Sequence, residues 1–394
     1  MLKCASVYTY EIDDQFTALN EIKSQLDDKL QLLENSLGIV MCHPEFISSG
    51  TLRFLCENLP FDMVGVTTAS QAVNGETGEM ILTVFVMTSD DVRFKTGVAV
   101  NLDKGIDESV KNAYEHMAAD ESETPKLALV FPQIIQSYAG DDYIKALQKY
   151  IPDTPMFGTL AMDDTPTFED SETIYKGENS KTSMPFVFCC GNIDPKFIIG
   201  TIPEEKVMHY TGEITKSTGP LVHEINGLNT YKYFESIGFE TGGSSKVNYL
   251  FLPFSIDQKK RPDYDGVPVI RVLSAFMDDG SAVFHGNVDE GSTFTLLKCE
   301  AEDVLSTAQD GVTQINDMSG VNGVLLFSCI VRRIVTMSAS GAEANEEFRT
   351  VSNTLRSDIP FMMGCAGGEI CPTLSKDNKL TNRYHNYSLV ILVI

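Results

Sequence analysis

Apolar positions along the chain fall into two periods, three-to-four and two, and the alternation between them predicts the architecture. Between residues 14 and 35, Phe16, Leu19, Ile22, Leu26, Leu30 and Leu33 recur every three or four positions, one face of an amphipathic helix. A different pattern follows and appears three times: apolar strand, polar loop, helix, proline, then a strand ending in glycine and small residues. The first copy runs from Leu37–His43 through a helix near 51–59 and Pro60 to Asp62–Thr68. The second runs from Lys126–Phe131 through a helix near 141–150 to Met156–Ala161. The third runs from Gly323–Cys329 through a helix near 341–356 and Pro360 to Phe361–Gly368. The two strands of such a unit are expected to be parallel.

Each copy leads to a further apolar strand, Met80–Met87, Phe186–Cys190 or Leu389–Ile394. Other runs suit antiparallel pairing: Val92–Val100, and Val267–Phe276 with Ser281–Asn287 across an Asp-Gly step at 279–280. The fold class is therefore α/β with mixed sheets. It is read as two related modules from a diverged internal duplication, each a mixed sheet flanked by helices. Loops rich in Gly, Ser and Pro at 211–220 and 240–247 place a boundary near 215. The division is residues 1–35 as a helical cap, 36–214 as the first module and 215–394 as the second.

Composition narrows the function. The chain has 394 residues, 43% of them hydrophobic, enough for sizeable cores. Thirty basic residues against 55 acidic ones give a formal net charge of -25. That field repels nucleic acid and anionic membrane surfaces, so neither is an expected partner. Residues 1–16 lack a basic flank followed by an apolar run, so no secretory leader is predicted, and the run 389–394 is too short to span a bilayer. Nine cysteines, an odd number, fit a reducing cytoplasm better than a disulfide framework. No C-x-x-C, H-E-x-x-H, Walker A or strand-following G-x-G-x-x-G pattern occurs, so no metal or cofactor is expected.

Candidate chemistry concentrates in the third unit. Cys329, Arg332 and Arg333 leave the end of one strand, Gly364, Gly367, Gly368 and Glu369 leave the next, and His385 with Asn386 precedes the last. Ligands collect beyond the carboxyl ends of parallel strands. A guanidinium at 332 or 333 fits a carboxylate. Gly367 and Gly368 allow close backbone approach, and Glu369 suits an amine. A cation and an anion facing one hollow suit a zwitterion such as an amino acid. Cys42 beside His43 is a poor dyad, because adjacent strand residues point to opposite faces.

These residues carry a resemblance. Cys329-x-x-Arg332, the Gly364–Glu369 turn and the run Tyr384-His385-Asn386 resemble the C-terminal FIST module, as does Arg271 with the hairpin ending in Val288–Gly291. Residues 37–100, with Val64–Thr68, resemble the N-terminal FIST module. Val331 and Val66 stand where the family often has glycine and cysteine. The resemblance implies an intracellular signal-transduction protein that binds a small ligand such as an amino acid. It also implies output through a separate signalling partner, since no segment is left for an effector domain. Two other readings stay open: a thiol-dependent enzyme using Cys329 or Cys365 with His385, and a ligand-free interaction scaffold.

Overall fold

The computed structural model describes residues 1–118, 123–165, 167–239, 253–259, 266–339, 345–375 and 379–394. The three strand–helix–strand units each build one six-stranded mixed sheet, and all three sheets have the same order. The first sheet runs Lys3–Thr9, Leu82–Thr88, Ser36–Cys42, Asp62–Thr67, then the hairpin Thr173–Tyr175 and Glu178–Ser180. The second runs Val92–Ala99, Met184–Gly191, Leu127–Val130, Met156–Thr159, then the hairpin Glu369–Leu374 and Leu380–His385. The third runs Lys196–Gly200, Leu389–Val393, Val324–Cys329, Phe361–Ala366, then the hairpin Gln71–Val73 and Glu76–Gly78.

In each sheet the two unit strands are parallel and every other pairing is antiparallel. The expected parallel pairs are therefore present, and the apolar strand after each unit returns beside its first strand. The hairpins are exchanged in a ring. The hairpin that follows the second strand of unit one completes the third sheet. That of unit two completes the first sheet, and that of unit three completes the second.

Strand residues alternate between two apolar surroundings, as expected for sheets covered on both faces. Ile39 and Met41, Leu129 and Phe131, and Leu325 and Phe327 point into one core shared by all three sheets. Their neighbours Val40 and Cys42 face the helices Gln15–Lys29 and Thr51–Asn58. Ala128 and Val130 face the helices of the second unit, and Val324 and Leu326 those of the third. The first helix spans Gln15–Lys29, its amino end capped by the Asp14 carboxylate, and buries Ala18, Leu19, Ile22 and Leu26. Phe16 is exposed and Leu33 lies beyond the helix.

The parallel pairs approach closely at one repeated glycine. A Cβ on Gly65 would sit 1.7 Å from the Val40 carbonyl oxygen, and one on Gly158 1.8 Å from that of Val130.

Between Lys196–Gly200 and the helix Ala301–Asn316 a fourth sheet is inserted. Its order is Val207–Thr218, Thr293–Leu297, Pro253–Asp257, Val269–Phe276, Ala282–Phe284, Leu221–Ile225, Leu228–Asn229. Val207–Thr218 also pairs with Leu221–Ile225, which closes the sheet into a small barrel around Phe234, Phe254, Phe284 and Phe294. The Asp-Gly hairpin is present, joining Val269–Phe276 to Ala282–Phe284. Residue 215, where a linker was expected, lies within the long strand Val207–Thr218. The loop expected at 240–247 lies outside the described residues. In the third unit the helix expected near 341–356 is Glu346–Thr354, with 340–344 outside the described residues. A helix not foreseen, Ile330–Ser338, starts directly at Cys329.

Gly158→Ala is expected to destabilise the protein by about 3 kcal/mol or more, the upper end of overpacking penalties, because the clash is with backbone that cannot rotate away. A lowered urea midpoint with an unchanged slope is the expected result.

Candidate functional site

The guanidinium at 332 is not an open fork. Arg332 is 1% exposed, and its Nε and Nη2 donate to Glu347 Oε1 at 3.0 and 2.7 Å. Nη2 also donates to the Val304 carbonyl at 3.0 Å and Thr307 Oγ1 at 3.1 Å. Ser328 Oγ donates to the other Glu347 oxygen at 2.7 Å. This ion pair ties the helix Ile330–Ser338 to its two neighbours. Removing one partner of such a buried pair costs about 3–5 kcal/mol. Arg333 is also committed, to Asn345 Oδ1 at 2.8 Å and to Glu79. The ligand role expected for both arginines gives way to a structural one. Glu347 was missed because nothing local marks which acid a buried arginine will meet.

Gly364 packs against Met41, where a Cβ would lie 2.2 Å from the methyl carbon. Gly367 and Gly368 form the turn between Phe361–Ala366 and Glu369–Leu374, and a Cβ on Gly368 would lie 2.0 Å from the Tyr384 hydroxyl. These glycines serve side-chain packing within the protein.

Glu369 and His385 do come together. They are directly opposed in the ladder between Glu369–Leu374 and Leu380–His385, so both side chains leave the same face. Glu369 is fully buried. Its Oε2 accepts from Ser388 Oγ at 2.6 Å and from the Ser388 N–H at 3.4 Å. Its Oε1 has no hydrogen-bond partner among the described residues. Burial pushes this carboxyl up to about 8, only partly opposed by Ser388 and the neighbouring Cys329 thiol. His385 Nε2 is 2.9 Å from the Cys371 carbonyl oxygen, and burial lowers its pKa to about 4. It is therefore a neutral imidazole at pH 7.

Asn386 sits one residue further on. It is 3% exposed; its Nδ2 donates to the His385 carbonyl at 3.0 Å, and its Oδ1 has no partner among the described residues. Tyr387 follows in the left-handed region at φ 60, uncommon for a bulky residue. This turn separates Asn386 from Ser388.

His385 and Asn386 line a cleft of about 640 Å³. Its walls are the strand Lys196–Gly200, the hairpin residues Pro372, Thr373, Leu374 and Leu380, and Val267, Pro268 and Ile270 from the inserted barrel. Lys196, at its rim, makes no ion pair among the described residues. Glu369, Cys329, Arg332 and Arg333 do not reach this wall. The barrel is held in place by Arg271, which is fully buried. Its Nη2 donates to both Asp141 oxygens at 3.0 and 3.2 Å, and its Nη1 to the Tyr384 carbonyl at 2.9 Å.

A thiol nucleophile finds no support here. Burial pushes the Cys329 thiol well above its ordinary value and that of Cys365 up to about 12, the reverse of an activated cysteine. Among the described residues no group of three His, Cys, Asp or Glu side chains is placed to hold a metal ion. No helix there is long and apolar enough to cross a membrane.

Two protein-family models match the chain: the FIST N domain over residues 36–228 and the FIST C domain over residues 232–372. The chain belongs to the FIST family. FIST domains are signal-transduction sensor domains. Comparison with curated proteins gave no match. The boundary between the two FIST models falls inside the inserted barrel. The His385–Asn386 edge of the cleft lies past the end of the FIST C match.

The Glu369 carboxyl, raised from its ordinary 4.5 to about 8, sets the sign of a pH effect. The folded chain holds this proton and the unfolded chain releases it near its ordinary value. Its stabilising contribution is complete below about 4.5 and is lost as pH rises through about 8. Glu369→Gln is expected to flatten the fall in thermal midpoint across that window. An unchanged pH profile would show that the group is already ionised in the fold.

Proposed function

We propose that this FIST protein senses a small amphipathic molecule, an amino acid with an apolar side chain or its oxo-acid relative, bound in the His385–Asn386 cleft. The observation carrying this reading is Asn386 Oδ1, a buried acceptor on the cleft-lining residue with no protein partner among the described residues. Buried polar groups are nearly always satisfied, so an unmatched acceptor at a cleft favours a donor brought by a ligand. Lys196 offers the opposite chemistry, a cation for a carboxylate. Between them the wall is apolar, with Phe197, Ile199, Val267, Ile270, Leu374 and Leu380.

The cleft joins three separately anchored parts: the edge of the third sheet, the hairpin of the second and the inserted barrel. A ligand that grips all three favours one seating of the barrel over others, which is the differential affinity a sensor needs. The output passes to a separate partner. All nine cysteines are free thiols, which supports a cytoplasmic setting.

Thermal midpoints measured with leucine, phenylalanine, their 2-oxo acids and glutamate test the reading. Apolar amino or oxo acids are expected to raise the midpoint, by an amount equivalent to about 2.7 kcal/mol at a hundredfold excess over Kd. Asn386→Ala and Lys196→Glu are each expected to abolish the rise while leaving the unliganded midpoint within a few degrees of wild type. No shift with any of these compounds would overturn the ligand class, and a shift that survives both substitutions would overturn the site.

A further inference from the structure

Two walls of the His385–Asn386 cleft belong to different parts of the fold, and one side chain ties them together. Val267, Pro268 and Ile270 come from the inserted barrel, and His385 ends the exchanged hairpin Glu369–Leu374 and Leu380–His385. The width of the cleft is the distance between these walls. The barrel meets the third unit through apolar side chains: Ile270 and Val272 share a buried cluster with Cys329, Val331, Val335 and Tyr387. Such contact is strong but non-directional, so it specifies the tilt and slide of the barrel only weakly.

Direction comes from Arg271, next in the chain to the cleft-lining Ile270. Its guanidinium bonds three parts of the fold at once. Toward the second unit, Nη2 donates to both oxygens of Asp141, which lies in the first turn of the helix Gly140–Gln148. Toward the hairpin, Nη1 donates to the carbonyl of Tyr384, the residue before His385. The guanidinium carbon also stands 5.6 Å from the Tyr384 ring centroid. Within the barrel, Nε donates to the Asn287 carbonyl at 3.2 Å and Nη1 to that of Ile270 at 3.1 Å. Asn287 doubles the tie to the second unit. Its N–H donates to Asp141 Oδ2 at 2.9 Å and its Nδ2 to Asp142 Oδ1 at 3.1 Å. Gly286, at φ 111, leaves the room this requires: a Cβ there would lie 2.5 Å from Arg271 Nε. Charge-assisted bonds from a planar fork are directional, so they fix where Ile270 stands relative to His385.

We propose that Arg271 is the positioning residue of this cleft: its fork holds the barrel wall and the hairpin wall at the one spacing a ligand fits, and an occupied cleft in turn tightens the Arg271–Asp141 joint. The proposal rests on the ligand reading above and adds the element whose geometry sets the affinity. Arg271 does not line the cleft and acts through Ile270 and Tyr384. Linkage makes the two effects reciprocal: whatever the joint contributes to binding, binding returns to the joint.

The test is calorimetric titration of leucine and of its 2-oxo acid into the full chain and two variants. Arg271→Lys keeps a cation opposite Asp141 but loses the fork that also reaches Tyr384 and Asn287. It is expected to weaken binding about tenfold or more. Arg332→Lys is the matched control, because it damages a buried ion pair of the same kind that does not border the cleft. It is expected to lower the thermal midpoint comparably and to leave the affinity within about twofold of wild type. Amide exchange in the wild-type chain reads the joint without any substitution. The Asn287 N–H, bonded to Asp141, is expected to exchange more slowly when either compound is bound. Unchanged affinity in Arg271→Lys, an equal loss in Arg332→Lys, or Asn287 exchange indifferent to the bound compound would each overturn this proposal and leave the ligand reading standing. Absence of binding to the wild-type chain would overturn that reading and this proposal with it.

Discussion

The cyclic exchange of hairpins is the constraint on which this structure rests. Each strand–helix–strand unit ends in a strand whose free edge is completed by a hairpin from a different unit. No sheet is finished until the ring is closed. The turns that lead into the exchange cross-bond the units. Thr68 Oγ1 donates to the Cys365 carbonyl, the Leu160 N–H to the Gly368 carbonyl and the Met162 N–H to the Thr67 carbonyl, at 2.7, 3.1 and 3.2 Å. The inner faces of the sheets then share one core, and each outer face is covered by its own helices.

Repetition makes the candidate site interpretable, because equivalent positions can be compared within one chain. Gly65 and Gly158 occupy the same place in the first two second strands, and Met363 takes it in the third. The exchanged hairpins start at one register position, where Gln71 pairs with Gly364, Thr173 with Val66 and Glu369 with Thr159. All three are buried. Gln71 Nε2 donates to the Ile81 carbonyl and its Oε1 accepts from Thr83 Oγ1, both at 2.7 Å. Thr173 Oγ1 donates to the Ser180 carbonyl at 3.0 Å. Glu369 alone of the three keeps an oxygen without a partner among the described residues. At this position the third unit is thus the one not fully satisfied from within, and the cleft with Asn386 opens beside it.

The strand–helix–strand units were legible because local signals mark them: period-two burial, a proline before the second strand and small residues at its end. The capped first helix was legible from Asp14 and its apolar stripe. The hairpin exchange was not, since the Gln71–Gly78 segment carries no local mark of which sheet it will complete. The barrel was read as part of a second module, because Val207–Thr218 is exposed along much of its length and its polar residues resemble a loop. At the site, His385 and Asn386 were found from the aromatic-His-Asn run, and Glu369 from its glycines. Arg332 was misread because a buried arginine and a ligand-binding arginine look alike until the acid is located, here Glu347, fifteen residues away and on another helix.

If the ring is one cooperative unit, its three central strands must open together. Native-state amide exchange, followed for the inner strands Ser36–Cys42, Leu127–Val130 and Val324–Cys329, measures this directly. The closed ring predicts that the slowest amides of all three exchange with a single opening free energy and shift together when urea is added. Two distinct classes, with the strands before residue 200 opening independently of those after residue 300, would contradict it.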